Sequence, residues 1–262
     1  MIPAMQPSAH PIFLLWAHPR SMSTALERVM RERGDCHCLH EPFLYYYYIH
    51  LGRRDFPHFD ASPDQPRSFD DIVDLIHGES RHRPVFVKDM AYYVMPEIMR
   101  HPEMAGRLRH AFLIRDPRRT LMSYYRLDPD FSCEEAGLEA QWRLFRWITA
   151  LTGVEPPVVR AEDIQRDPRA TVGALWERLG LGFVEEAFSW QAGEAPRDWE
   201  QMGAWHDRTV RHAGIARDPR ADAEVRAEFQ TFAGKAPALK AYLDHHWPYY
   251  LELSSRSLSV RG

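Results

Sequence analysis

Residues 11–26 read PIFLLWAHPRSMSTAL. An apolar run from Ile12 to Trp16 enters a short polar turn of His18, Pro19, Arg20 and Ser21. The turn opens into SMSTALERVM, a run compatible with a helix. Strand, tight loop and helix in that order make an anion site. The first N–H groups of a helix lack intrahelical partners, and the helix dipole adds partial positive charge there. Arg20 adds a full cation, and Ser21, Ser23 and Thr24 add hydroxyl donors. The same residues also make an ordinary capped surface helix, so the loop alone does not decide between the two.

A second segment decides it. Residues 110–126 read HAFLIRDPRRTLMSYYR. The strand ends in Arg115, and Asp116 and Pro117 suit an N-cap and a first helical position. Open α/β sheets bind ligands at the carboxyl ends of their strands. Arg115 stands at that edge, and Ser123 lies two turns into the following helix, so the pair can grip one phosphate. Arg118 and Arg119 read as solvated.

Together these segments resemble the sulfotransferases that use 3′-phosphoadenosine 5′-phosphosulfate (PAPS). That family holds the 5′-phosphosulfate on a loop such as PKSGTT or PRSGTT; this chain has Pro19-Arg20-Ser21-Met22-Ser23-Thr24. The family's R-[DN]-P with a Ser eight residues after the Arg matches Arg115-Asp116-Pro117 and Ser123. Residues 158–168, VVRAEDIQRDP, are similar to its later strand and turn. Two positions depart: Met22 replaces the loop Gly, and Arg20 replaces the usual Lys, as in the tyrosylprotein sulfotransferases.

The resemblance implies a PAPS-dependent sulfotransferase that moves a sulfuryl group by in-line displacement to a hydroxyl or amine of a small-molecule or glycan acceptor. It implies Arg20 as the cation on the bridging oxygen. Ser21, Met22, Ser23 and Thr24 then hold the 5′-phosphate, and Arg115 and Ser123 the 3′-phosphate. Lys88 matches a family position that faces the sulfate. Glu41, in HEPF, is similar to the catalytic base of the glycosaminoglycan sulfotransferases, with His18 and His40 as rivals near neutral pH. The strand before Glu41 is expected beside the strand of the cofactor loop. Arg208, Arg211 and His212 are candidates for closing over the nucleotide. No metal is implied. The alternatives are a small-molecule kinase of related P-loop fold and a non-catalytic adenosine-bisphosphate-binding protein. Against the kinase stands the absence of GxxxxGK[ST].

The chain as a whole agrees. Its 262 residues, 45% hydrophobic and 27% charged with net charge −4, give a globular composition that does not suggest generic nucleic-acid binding. No run is long enough to span a membrane, and MIPAMQPSAH lacks the pattern of a signal peptide. Three cysteines without a signal suggest a reducing cytoplasm. Cys36-His37-Cys38-Leu39-His40 lacks a second Cys pair for zinc and reads better as a strand of buried Cys and exposed His.

Strands are expected at residues 12–17, 36–40, 85–88, 111–114 and 157–160. Helices are expected at 22–33, 69–78, 93–104, about 133–152 and 168–180, the last stopped by Gly180. Residues 43–49 (FLYYYYI) read as a core helix or an acceptor wall, and 51–68 as a loop or lid. The alternation predicts one three-layer α/β/α domain over residues 1–262 with a mostly parallel sheet. Residues 190–262 are expected to cover cofactor or acceptor, with the tail of His245, His246 and Trp247 packed back on the domain.

Overall fold

The computed structural model describes residues 10–259. A five-stranded sheet runs in the order β2-β3-β1-β4-β5, every neighbouring pair parallel. The strands are β1 (Ile12–Ala17), β2 (His37–His40), β3 (Val85–Met90), β4 (Arg109–Ile114) and β5 (Val158–Arg160). All six β1 residues are buried, because both sheet faces are covered. Ile12, Leu14 and Trp16 face one core, and Phe13 and Leu15 the other, by the two-residue period of a strand.

The helices follow from capping and periodicity. α1 (Ser23–Glu32) packs Leu26, Val29 and Met30 on the second face. α2 (Pro42–Leu44) runs on as a π-helix, Tyr45–His50, whose first four Tyr rings are buried. Ser68 caps α3 (Phe69–Ser80) by accepting from Asp71 N–H (3.2 Å). α4 (Ala91–Arg100) leaves β3 directly, and α5 (Pro102–Ala105) restarts after it, which splits the helix expected over 93–104. Asp116 caps α6 (Pro117–Tyr125) as expected. α7 (Leu138–Thr152) lies against α4 and α12. α8 (Ala161–Arg166) and α9 (Pro168–Leu179) flank the second core, with Gly180 ending α9 at φ 72°. α10 (Asp207–Val210), α11 (Asp222–Lys235) and α12 (Ala238–Ser254) complete the chain, and α12 packs back on α6 and α7. None of these helices is long and apolar enough to cross a membrane.

Three expectations are corrected. β2 does not lie beside β1, because β3 intervenes with His40 opposite Lys88 and Lys88 opposite Leu15. His40 is not an exposed strand residue, since its side chain is buried against Glu27. The helix expected from 133 breaks into a 3₁₀ turn, Glu134–Ala136, and α7. The break is Gly137, at φ 81°, where a β-carbon would sit 2.9 Å from His18 Cβ. Gly137→Ala therefore meets both a disfavoured backbone and a clash. We expect a loss of about 2 kcal/mol or more in urea denaturation; an unchanged midpoint would refute the assignment.

Candidate functional site

The carboxyl ends of β1, β2, β3 and β4 open on one cleft of about 890 Å³, counting its mouth. The chain turns in opposite directions from β1 and β4, so the cleft sits at the switch point of the sheet. Where these two strands part, Gln141 of α7 donates to Trp16 O (2.8 Å) and Leu113 O (3.0 Å). His18 Nε2 accepts the Arg115 N–H (3.1 Å).

The first candidate segment folds as a strained turn. Arg20 and Met22 both have positive φ, 63° and 73°, and Met22 is the N-cap of α1 without a side-chain cap bond. This left-handed conformation explains why glycine suits the position, and here Met22 bears it. Arg20, Met22, Ser23 and Thr24 line the cleft. Ser21 is fully buried with its hydroxyl away from the lining.

The side chains of the two segments meet where Arg20 Nε donates to Ser123 Oγ (3.0 Å). Arg20 Nη1 also donates to Trp205 O (2.7 Å), and Arg115 Nη1 to Arg20 O (3.1 Å). Arg115 and Ser123 both reach the lining. Arg115 Nη2 donates to Asp218 Oδ2 (3.3 Å), which also takes Arg119 Nη1 (2.8 Å) and Arg220 Nη2 (2.6 Å). Hydrogen bonds from Arg220 hold the Asp218 carboxyl below the usual range. Arg119 is therefore buried and paired rather than solvated, and Arg118 grips Asp116 under the Trp247 ring.

Glu41 lines the cleft in a left-handed turn, φ 45°. Lys88 Nζ donates to its Oε1, and the Tyr93 hydroxyl to its Oε2 (3.4 Å). Behind them lies Glu27 of α1, which the sequence reading missed. It accepts from His40 Nδ1 (2.6 Å), Arg31 Nε (2.8 Å) and Trp199 Nε1 (3.0 Å), with Lys88 Nζ at 3.6 Å. Burial works to raise Glu27, but His40, Lys88 and Arg31 outweigh it and hold its carboxyl well below the usual range.

The structure leaves several candidates outside the lining. His18 is buried, neutral and pushed by burial down to about 3, and it serves the Arg115 amide. Lys88 and His40 stand behind Glu41. Arg211 is exposed and paired with Asp207 (2.7 Å), whereas His212 does line the cleft. The Arg208 side chain lies outside the described part. Sequence reading also missed Gln165, which bonds Ala216 O (2.9 Å), and His206, whose Nδ1 lies 3.2 Å from Thr24 Oγ1. His206 carries no local motif, and Gln165 lies within the run 158–168, which reads only as a strand and turn. Cys36 and Cys38 are buried and their thiols raised by burial. Among the described residues, Cys133, His245 and His246 do lie together, but His246 already donates to Cys133 O (2.7 Å) and accepts the Glu139 N–H (3.3 Å).

Comparison with known proteins adds a family. The sulfotransferase domain model matches residues 12–233. Branched-chain-amino-acid aminotransferase-like proteins 2 and 1 of Arabidopsis thaliana are each 28% identical, over 204 and 206 residues. Each alignment covers 77% of this chain but 35% and 36% of those proteins, so the chain spans about a third of the curated relatives' length. The solved sulfotransferase domain from the curacin biosynthetic pathway aligns with a TM-score of 0.50 at 15% identity, covering 87% of this chain and 97% of that one. At that identity the likeness speaks to fold.

The buried histidines set a pH dependence. Burial lowers His18 to about 3, and His110 and His246 to about 4. The unfolded imidazoles take protons near about 6.5, so the unfolded state binds more protons below that pH. Stability should thus be full above about pH 6.5 and fall toward pH 4, with the depressed carboxyl of Glu27 adding losses below the usual glutamate range. Urea midpoints that stay level from pH 7 to pH 5 would contradict this.

Proposed function

This chain belongs to the sulfotransferase domain family, and from that premise we propose that it transfers a sulfuryl group from PAPS to a hydroxyl of a small acceptor. The observation that carries the reading is the Arg20–Ser123 bond, which joins the two anion segments on one cleft with Arg115 beside them. A nucleotide with separated 5′ and 3′ phosphates fits that pair of sites. The uncapped N-terminus of α1, with Ser23 and Thr24, suits the 5′-phosphate. Arg115 and Ser123 suit the 3′-phosphate.

In this reading Arg20 stabilises charge that grows on the leaving oxygen, which is where a fixed cation accelerates transfer most. Glu41 takes the acceptor proton, and Lys88 and Tyr93 hold its carboxylate in place. The acceptor oxygen bonds to sulfur as the bond from sulfur to the 5′-phosphate oxygen breaks. Positioning and fixed charge suffice for this displacement.

Adenosine 3′,5′-bisphosphate should raise the melting temperature more than 5′-AMP does, through binding linkage. Equal shifts at saturation would remove the 3′-phosphate assignment. With labelled PAPS and an acceptor, Arg115→Ala should chiefly weaken nucleotide binding, and Arg20→Ala chiefly lower kcat. Glu41→Gln should cost on the order of 10²-fold or more in turnover with nucleotide binding retained. Binding without turnover in the unaltered protein would favour the non-catalytic alternative.

A further inference from the structure

Two consecutive residues late in the chain grip the first candidate segment. Trp205 ends the 3₁₀ segment Arg197–Trp205, and its carbonyl accepts from Arg20 Nη1 (2.7 Å). His206 follows it, with Nδ1 3.2 Å from Thr24 Oγ1. The two contacts join residues 185 and 182 positions apart in sequence. His206 and Thr24 both line the cleft.

The His206 ring is held from two further sides. It stands edge-on to His40 (centroids 4.5 Å, 89°) and tilted on Trp199 (5.2 Å, 48°). Only 5% of the residue is exposed, and its Nε2 is buried without a hydrogen-bond partner among the described residues. Burial, and after it the neighbouring His40 and Lys88, holds the imidazole well below the usual histidine range, so the ring is neutral.

A neutral imidazole carries one hydrogen, on Nδ1 or on Nε2. A hydrogen on Nε2 would be a buried N–H without an acceptor, its positive end set among the Lys88 and Arg20 cations that act on this ring. A hydrogen on Nδ1 leaves a lone pair at Nε2, which those cations favour. Nδ1–H then donates to Thr24 Oγ1, and the hydrogen of the Thr24 hydroxyl turns to the cleft, where it can donate to an anion. The other tautomer would draw that hydrogen onto the ring and leave the anion facing an oxygen lone pair.

Resting on the sulfotransferase reading, we propose that His206 is a positioning residue of the 5′-phosphate site, whose Nδ1–H makes Thr24 a hydrogen-bond donor to that phosphate. Trp205 and His206 thus set the Arg20 guanidinium and the Thr24 hydroxyl from one turn.

The test uses the full chain. Calorimetry compares adenosine 3′,5′-bisphosphate with adenosine 3′-phosphate, which differ only in the 5′-phosphate. His206→Leu should cut the advantage of the bisphosphate about tenfold, the size of one hydrogen bond, with the affinity for adenosine 3′-phosphate unchanged. Thr24→Val should do the same, and the double variant should lose no more than either alone, because both act on one bond. His206→Asn, whose amide N–H reaches the place of Nδ1, should restore most of the advantage. Nitrogen-15 NMR of the unaltered protein, which needs no substitution to stay folded, should place the ring hydrogen of His206 on Nδ1. A hydrogen on Nε2, an unchanged bisphosphate advantage in His206→Leu, or additive losses in the double variant would each overturn the role of His206 while the sulfotransferase reading stands. If His206→Leu binds neither nucleotide, the tautomer and His206→Asn decide. If the unaltered chain binds neither nucleotide, the sulfotransferase reading falls and this inference with it.

Discussion

Strands β1 and β4 part at their carboxyl ends, and the backbone groups left facing each other there must be satisfied inside a dry core. Gln141 bridges the two carbonyls, and His18 takes the Arg115 N–H. These bonds fix the distance at which the two loops leave the sheet. The cleft and the meeting of Arg20 with Ser123 follow from that distance. His18 can serve only as a neutral acceptor, which is the state its burial enforces. Gly137 is required beside it because no larger residue fits against the His18 β-carbon.

The floor of the site is held by charge rather than by apolar packing. Glu27, Lys88 and Glu41 are all buried, and each has partners drawn from other elements. Isolated, such groups cost too much to bury; paired and hydrogen-bonded, they hold one geometry. Lys88 reaches Glu41 because β3 lies between β1 and β2 and sets Lys88 opposite His40. The same placement puts Glu27 of α1 under both.

The roof is tied to the floor through Trp205. Its carbonyl accepts from Arg20, its indole N–H donates to Pro57 O, and its ring stacks on Phe56. Residues 51–68 are also fastened by Asp60 N–H to Gln201 O (2.9 Å) and by Ser62 N–H to the Tyr45 hydroxyl (3.1 Å). One residue thus joins Arg20 to the aromatic wall of the cleft.

The sequence by itself determined the five strands, most of the helices as far as residue 180, the parallel sheet and the two segments that open on the cleft. Those signals are local: apolar runs, an Asp-Pro cap, and hydroxyls at a helix start. They placed Arg20, Ser23, Thr24, Arg115 and Ser123 on one cleft without further information. Tertiary structure alone decided the strand order, which seats β3 beside β1, because parallel pairing leaves no mark in the strands themselves. It alone decided that Arg119 is buried, since its partners Asp218 and Asp222 are about a hundred residues away in sequence. Glu27, Trp205 and His206 were illegible for the same reason. Each is an ordinary residue of its own helix or turn, and its role arises from a neighbour that only the closed chain supplies.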